Sequence, residues 1–230
     1  MKLLAIDAAT EACSVALLID DMTYERHRIA PRGHAQHLLG MVDAVCNEAG
    51  VDLKSLDAIA FDRGPGSFTG VRVGTSVTQG LAFGLDLPVI PISSLATIAQ
   101  GVLRESGQTQ VLSVIDARMG EVYWGYYQAC GATMCLQGEE HVTKAEMIRP
   151  LAGQWYGAGT GWQAYPSELR AVITSEEQGE CVGIDPARLP HAVDLLALAQ
   201  PLFVAREYIA ADQALPTYLR NEVAKKQSRV

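Results

Sequence analysis

Residues 3–7 read Leu-Leu-Ala-Ile-Asp, and a matching phrase, Val-Leu-Ser-Val-Ile-Asp, occupies residues 111–116. In each copy an apolar run typical of a buried strand ends at an aspartate, Asp7 or Asp116. Each aspartate is followed by a short turn and then a second strand-like run, residues 13–19 or 121–126. A phrase that recurs half a chain later predicts two structurally related halves.

Helix and strand patterns alternate after each repeated phrase, which predicts mixed α/β sheets. The predicted strands are residues 22–29, 57–62, 89–92 and 154–156, and the predicted helices are 34–49, 68–84, 93–105 and 190–206. We expect a first lobe over residues 1–106, a second over 107–215, and a C-terminal tail over 216–230 that contains Lys225 and Lys226.

Composition excludes several classes of protein. Hydrophobic residues make up 49% of the 230 residues, enough for a sizeable core and too many for a disordered chain. The apolar runs are shorter than a membrane helix or a secretion signal needs, and five cysteines suit a reducing compartment, so we expect a cytoplasmic protein without membrane contact. A net charge of −8 argues against a broad basic surface for nucleic acid.

A glycine-rich segment, residues 63–74, precedes the helix predicted at 68–84 and reads Arg-Gly-Pro-Gly-Ser-Phe-Thr-Gly-Val-Arg-Val-Gly. Backbone amides at such a helix start can hold an anion, although the lysine of a Walker A loop is missing. A tight turn in which Ser67 caps the helix is the other interpretation.

Both long helices of the first half carry more apolar surface than one buried stripe needs. On the helix over 68–84, we expect the glycine-bearing face to pack on the chain's own sheet. The opposite face then suits a partner protein, and it carries Phe68, Val71, Arg72, Thr75 and Gln79. On the helix over 34–49, Leu38, Met41, Val42 and Val45 belong to a wide apolar arc that predicts either deep burial or a second protein contact.

A nucleotide site is the competing hypothesis. Asp7, Thr10 and Asp116 stand at the ends of the repeated strands, where carboxylates of a small-molecule kinase or ATPase could hold Mg²⁺ through water. The loop over 157–161, with Gly159 at its centre, could line an adenosine pocket. Ala8 and Ala9 follow Asp7 where a phosphate cradle normally has glycine, which argues against this alternative.

Several phrases resemble the bacterial TsaB (YeaZ) family. They are residues 4–17, 64–74, 115–124, 159–164 and 216–221, which together follow the family's order along essentially the whole chain. The resemblance implies an α/β, actin-like ATPase fold of the sugar kinase and Hsp70 superfamily, with a ribonuclease-H-like unit in each lobe. It also implies a role in making N6-threonylcarbamoyladenosine at position 37 of tRNAs that read codons beginning with A.

The resemblance further implies a subunit without chemistry of its own, and hence no metal or other cofactor. The transfer step belongs to a paralogue, TsaD, and an ATPase, TsaE, completes the complex. The two histidines of the TsaD metal motif fall here on Ser94 and Ile98, which are poor metal ligands.

The family's mode of assembly also carries over to this chain. The two helices of the first lobe are expected to bind the TsaD-like subunit, or a second copy of this chain when it is alone, while tRNA is contacted only indirectly. A Val42→Glu change is then expected to break the complex and leave the fold intact.

Overall fold

The computed structural model describes residues 1–30, 33–174 and 179–220, and these form two five-stranded sheets flanked by helices. The first sheet has the order β3-β2-β1-β4-β5. The chain meanders antiparallel through β1, β2 and β3 and then adds β4 and β5 parallel to β1. The bounds are β1 Lys2–Asp7, β2 Ala12–Ile19, β3 Met22–Ile29, β4 Ala58–Asp62 and β5 Val89–Ile92.

The second sheet repeats this topology in the order β10-β9-β6-β7-β8. Its bounds are β6 Gln110–Arg118, β7 Glu121–Cys130, β8 Thr133–Thr143, β9 Gly153–Ala158 and β10 Gly179–Asp185. Strands β1 and β6 therefore occupy the centres of their sheets, each between one antiparallel and one parallel neighbour. The two related halves that the repeated phrase predicts are confirmed, and so is the two-lobed actin-like fold.

The outer face of each sheet is covered by helices of very different size. On the first sheet lie α1 (His34–Ala49) and α2 (Phe68–Leu85), and on the second lie α4 (Gly161–Ala164) and α5 (Pro166–Ile173). Ser67 caps α2 by accepting a hydrogen bond from the Gly70 amide, which confirms the capped turn. Apolar residues from alternate strand positions meet these helices in two separate cores.

The inner faces of the two sheets are joined by a pair of exchanged helices. Helix α3 (Ser94–Ser106) follows the first sheet in the chain but packs against β6, β7 and β8 of the second. Helix α6 (Ala192–Val204) follows the second sheet but packs against the first. The Arg104 guanidinium on α3 forms a salt bridge with the buried Asp194 carboxylate on α6, with an Nε–Oδ1 distance of 2.7 Å. The lobe boundary at residue 106 stays a prediction, because each sheet packs against a helix that belongs to the other half of the sequence.

Some elements have no counterpart among the predicted ones. Strand β8 is half-buried to exposed apart from Met134, and it changes register beside Gly138, whose φ is +85°, so it lacks a simple alternating pattern. Strand β10 contains a bulge between Cys181 and Gly183, and α4 has only 4 residues. Lys225 and Lys226 of the expected tail lie outside the described residues. Among the helices described, none is long and apolar enough to cross a membrane.

Candidate functional site

A cleft of about 1420 Å³ lies between the two halves, at the turns that follow the central strands. The β1–β2 turn and the start of α2 form one wall, and the β6–β7 turn with the start of α4 forms the other. Residues 217–220 run along the cleft and complete its lining. The polar and aromatic side chains that line the cleft include Thr10, Glu11, Phe68, Arg72, Asp116, Arg118, Tyr218 and Arg220.

Asp116 faces this cleft and is tied to its own turn. Its Oδ1 accepts a hydrogen bond from the Arg118 amide at 2.8 Å, and its Oδ2 pairs with the Arg118 guanidinium at 2.9 Å. The same guanidinium reaches the Glu11 carboxylate on the opposite wall, at 3.6 Å. The two turns are therefore joined across the cleft by an exposed ion pair.

Asp7, the repeat partner of Asp116, does not reach the cleft. Its side chain is fully buried, where Oδ1 accepts from the Ala9 amide at 3.0 Å and Oδ2 accepts from the Ser14 hydroxyl at 3.3 Å. Burial, together with the neighbouring Asp62 carboxyl, holds the pKa of Asp7 well above its usual range.

Helix α2 closes the space above the Asp7 turn. A Cβ atom on Gly66 would lie 2.1 Å from the Ala9 carbonyl oxygen, and one on Gly70 would lie 2.1 Å from that of Ala8. The Ser67 amide also donates to the Ala9 carbonyl at 2.6 Å. The glycines of this segment thus serve close backbone contact within the chain.

Of the four nucleotide-site residues expected from the sequence, only two therefore lie at the cleft. Thr10 and Asp116 line the cleft, whereas Asp7 and Gly159 do not. Gly159 is buried with a φ of +106°, and a Cβ atom there would lie 2.3 Å from the Val114 carbonyl oxygen. Its role is to let the backbone after β9 approach β6. Asp7 and Gly159 are therefore removed from the candidate nucleotide set.

An arginine held between aromatic rings stands at the entrance to the cleft. The Arg72 guanidinium carbon lies 3.3 Å from the centroid of the Phe68 ring and 5.1 Å from that of Tyr218. Arg72 also donates to the Phe68 carbonyl at 2.8 Å. Phe68, Val71 and Arg72, which were expected to meet a partner protein, thus line the cleft.

The segment over residues 216–220 links both halves and is a contribution that local sequence reasoning missed. The Thr217 amide donates a hydrogen bond to the Arg63 carbonyl at 2.8 Å, and the Arg63 guanidinium donates one to the Thr217 hydroxyl oxygen, also at 2.8 Å. Arg220 donates to the Ala117 carbonyl at 3.2 Å and pairs with the Glu121 carboxylate. The only sequence signal for this segment was its resemblance, over residues 216–221, to the TsaB family.

The expected contact residues on α1 and α2 require correction. Leu38, Val42 and Val45 are buried in the first core, where they pack on the sheet. Thr75 is also buried, and Gln79 donates its side-chain amide to the Ala214 carbonyl at 2.8 Å. The buried residues of α2 are 70, 71, 74, 75, 78 and 82. On the glycine-bearing face that was predicted to pack on the sheet, Gly70 and Gly74 are therefore buried, whereas Gly80 and Gly84 are exposed.

Other residues form the outward side of these helices. Leu39 is 52% exposed and Phe83 is 80% exposed, while Met41 is half-buried between this surface and the core. A Cβ atom on Gly40, Gly80 or Gly84 would meet no atom within 4 Å. We call Leu39, Gly40, Gly80, Phe83 and Gly84 the outer helix face.

The positions that align with the TsaD metal motif have structural roles in this chain. The Ser94 hydroxyl donates to Asp62 Oδ1 at 2.6 Å, and Ile98 is buried in the core beneath α3. His34 Nε2 lies 3.0 Å from the Thr10 carbonyl oxygen, within hydrogen-bonding distance. Across residues 1–30, 33–174 and 179–220, no group of three or more metal-binding side chains is brought together.

Comparison with known proteins identifies the group to which this architecture belongs. The family model described as "TsaD: tRNA N6-adenosine threonylcarbamoyltransferase" matches residues 20–225. The protein TsaB of Escherichia coli K12, named for tRNA threonylcarbamoyladenosine biosynthesis, is 44% identical, with 99% of this chain and 98% of that protein covered. The TsaB protein of Haemophilus influenzae is 39% identical over 99% of this chain and 97% of its own.

A solved structure agrees with the sequence relatives. The structure of YeaZ from Pseudomonas aeruginosa superposes with a TM-score of 0.88 at 48% identity, covering 95% of this chain and 99% of that one. Fold and sequence therefore match over nearly all of both proteins. The chain belongs to the TsaD family and, within it, to the TsaB (YeaZ) group of tRNA threonylcarbamoyladenosine biosynthesis proteins.

Proposed function

We propose that this chain is a non-catalytic subunit that supports threonylcarbamoyl transfer to adenosine 37 of tRNAs reading codons that begin with A. Its partner is a TsaD-like catalytic subunit, and a TsaE-like ATPase completes the assembly in the cytoplasm. The observation that carries the proposal is the outer helix face, where two large apolar side chains and three uncovered glycines share the outside of one helical layer.

The chemistry of the outer helix face suits a second pair of helices. Glycine in a helix interior costs about 1 kcal/mol relative to alanine, so uncovered glycines on α1 and α2 are expensive in the isolated chain. They allow another backbone to approach closely, and the exposed Leu39 and Phe83 side chains lose water when it does. The same face would join two copies of this chain when the catalytic subunit is absent.

Charge supports an indirect relation to tRNA. The chain carries a net charge of −8, and phosphate contacts need clustered lysine or arginine. In the assembly we propose, the catalytic subunit holds the tRNA, and this chain holds the catalytic subunit in its competent arrangement.

The kinase or ATPase alternative has weaker support. The cleft is large enough for a nucleotide and presents Thr10 and Asp116. However, the Asp7 carboxyl is buried away from it, and the backbone of the Asp7 turn is packed against Gly66 and Gly70. Calorimetry with ATP and Mg²⁺ separates the two proposals, because tight binding with turnover would favour the enzyme.

Gly80→Arg tests the proposed interface. A Cβ atom there has no neighbour within 4 Å, and the arginine side chain beyond it blocks close helix approach, so we expect the Kd for the catalytic subunit to rise at least about tenfold, or about 1.4 kcal/mol. Tm should stay within about 2 °C of the parent, since the side chain is exposed on a helix. Titration calorimetry with the catalytic subunit measures the Kd.

Ala171→Arg on α5 is the matched control, because Ala171 is exposed on a helix of the other half. It should leave the Kd unchanged. Equal binding by the two variants would remove the outer helix face from the interface. Full tRNA modification by the catalytic subunit and the ATPase without this chain would contradict the supporting role itself.

A further inference from the structure

Two buried aspartates meet at the centre of the first sheet. Asp7 ends β1 and Asp62 ends β4, and these strands are parallel neighbours in which Ile6 pairs with Phe61. The side chains of Asp7 and Asp62 are 0% and 2% exposed, and they follow a matched pair of residues on adjacent strands, so their carboxyl groups are buried as neighbours. We call them the carboxyl pair.

The hydrogen bonds around the carboxyl pair leave one oxygen without a partner. Both Asp7 oxygens accept bonds, from the Ala9 amide and the Ser14 hydroxyl. Asp62 Oδ1 accepts from the Gly64 amide at 2.7 Å and from the Ser94 hydroxyl at 2.6 Å. Among the described residues, Asp62 Oδ2 is buried and receives no donor. A proton between the two carboxyl groups would satisfy this oxygen and remove the repulsion between two buried negative charges.

The surroundings provide little other compensation. Arg63 is a charged group that acts on Asp62, and its guanidinium is also engaged by Thr217 and by the Glu140 carboxylate at 3.7 Å. On β2, the Cys13 side chain lies in the core on the α1 side of the sheet, and burial raises the pKa of its thiol to about 12, so it is neutral.

The helices packed against the carboxyl pair bring polar contacts to it. Helix α3 contributes the Ser94 hydroxyl, and the first amide of α6, that of Ala192, donates to the Ser14 oxygen at 2.9 Å. His191, before α6, is turned toward Glu25 at 3.4 Å, and α2 contributes glycine backbone.

We propose that Asp7 and Asp62 share a single proton at neutral pH, so that the first half takes up a proton when it folds and loosens when the carboxyl pair loses it. The carboxyl pair holds together the β1–β2 turn, the loop leading into α2, and the starts of α3 and α6. A buried carboxyl pair with one proton and one negative charge, instead of two negative charges, thus stands at the junction of four segments.

The direction of the pH effect follows from linkage. Burial raises the pKa of Asp7 and raises that of Asp62 to about 6. Carboxyls of the unfolded chain ionise at about pH 4, so above that pH the folded state binds more protons than the unfolded state. The stability contributed by the proton is therefore full in acid and is lost as pH rises through the pKa of the carboxyl pair.

Asp62→Asn tests the proposal directly, because the amide keeps the acceptor for Gly64 and Ser94 and supplies a permanent donor toward Asp7. Urea unfolding is measured for parent and variant between pH 5 and 8. We expect the parent's unfolding constant to rise relative to the variant's by up to about tenfold per pH unit. Refolding at pH 7 should take up about one more proton in the parent, as read by an indicator dye in weak buffer.

Ser94→Ala provides the matched control. It removes a hydrogen bond to Asp62 but keeps both carboxyls, so its stability should remain as dependent on pH as that of the parent. Parallel pH curves for the parent and Asp62→Asn would overturn the proposal. If the Asn variant does not fold, ¹³C-carboxyl spectra of the parent decide: the proposal expects one protonated carboxyl in the carboxyl pair at pH 7 and is refuted by two ionised ones.

Discussion

The two halves of this chain have the same strand order but use the turn after the central strand in opposite ways. In the first half, glycines before and within α2 contact the carbonyls of Ala8 and Ala9, just after Asp7, and bury that aspartate. In the second half, Gly159 and Gly161 contact Val114, two residues before Asp116. Relative to the aspartate, the backbone contact therefore lies three to four residues earlier on the strand, and Asp116 is left facing the cleft. Similar topology with a shifted point of backbone contact is enough to seal one turn and open the other.

The helices on the outer faces differ in a related way. The short α4 and α5 bury Trp162 and Leu169 and complete the second core together with Ala145 and Ile148. The long α1 and α2 finish the first core and still expose Leu39 and Phe83. The first half thus has both the sealed turn and the surface that another molecule can cover.

The largest expected effect comes from filling the sealed turn. Gly70→Ala places a methyl group 2.1 Å from the Ala8 carbonyl oxygen, so we expect a loss of more than about 3 kcal/mol in the free energy of unfolding. Gly80→Ala on the same helix meets no atom and should stabilise by up to about 1 kcal/mol. Urea denaturation of both variants measures the contrast, and equal effects would show that α2 does not rest on the turn as described.

A second contrast separates the inward and outward sides of α1. Val42 is 1% exposed, so Val42→Glu should lower the free energy of unfolding by about 3 kcal/mol, which corrects the expectation that this change spares the fold. Leu39→Glu should change stability by less than about 0.5 kcal/mol and weaken binding of the catalytic subunit. Thermal unfolding with titration calorimetry tests both; a Val42→Glu protein as stable as the parent would contradict the packing of α1.

The exchanged helices allow the independence of the halves to be tested. Arg104→Ala leaves the buried Asp194 carboxylate without its guanidinium partner, so we expect a loss of about 2 kcal/mol in the free energy of unfolding. Because α3 and α6 each pack on the other half's sheet, unfolding should remain a single transition, as followed by tryptophan fluorescence and far-ultraviolet dichroism. Separate transitions in the parent would mean that the halves fold independently.

The smallest effect is expected at the open turn. Arg118 is 75% exposed, and its pairs with Asp116 and Glu11 are accessible to solvent and salt. Arg118→Ala should therefore cost at most about 0.5 kcal/mol in the free energy of unfolding, with a smaller difference at high salt. A loss comparable to that of Gly70→Ala would show that the second turn is as tightly built as the first.

Strong local patterns made much of the fold predictable. The helix at 34–49 and the strand at 89–92 agree with the structure to the residue, and the helix predicted at 68–84 differs by one. Strand β8 was not predicted, because its exposed residues and shifted register leave no regular pattern. Which side of each helix packs on the sheet was also not predictable from the sequence. For this reason several of the residues expected to meet a partner, Leu38, Val42, Val45 and Thr75, are buried instead.

The order of apolar and polar residues, with glycine and serine at the turns, is sufficient to specify two repeated α/β units, because strand and helix periods are properties of the local chain. Which half each inner helix joins, which aspartate is buried, and which helix residues remain outside depend on contacts between segments far apart in sequence. Gly70 against Ala8 and Arg104 against Asp194 are such contacts. No local pattern contains their distances, so only the folded chain separates the sealed turn from the open one.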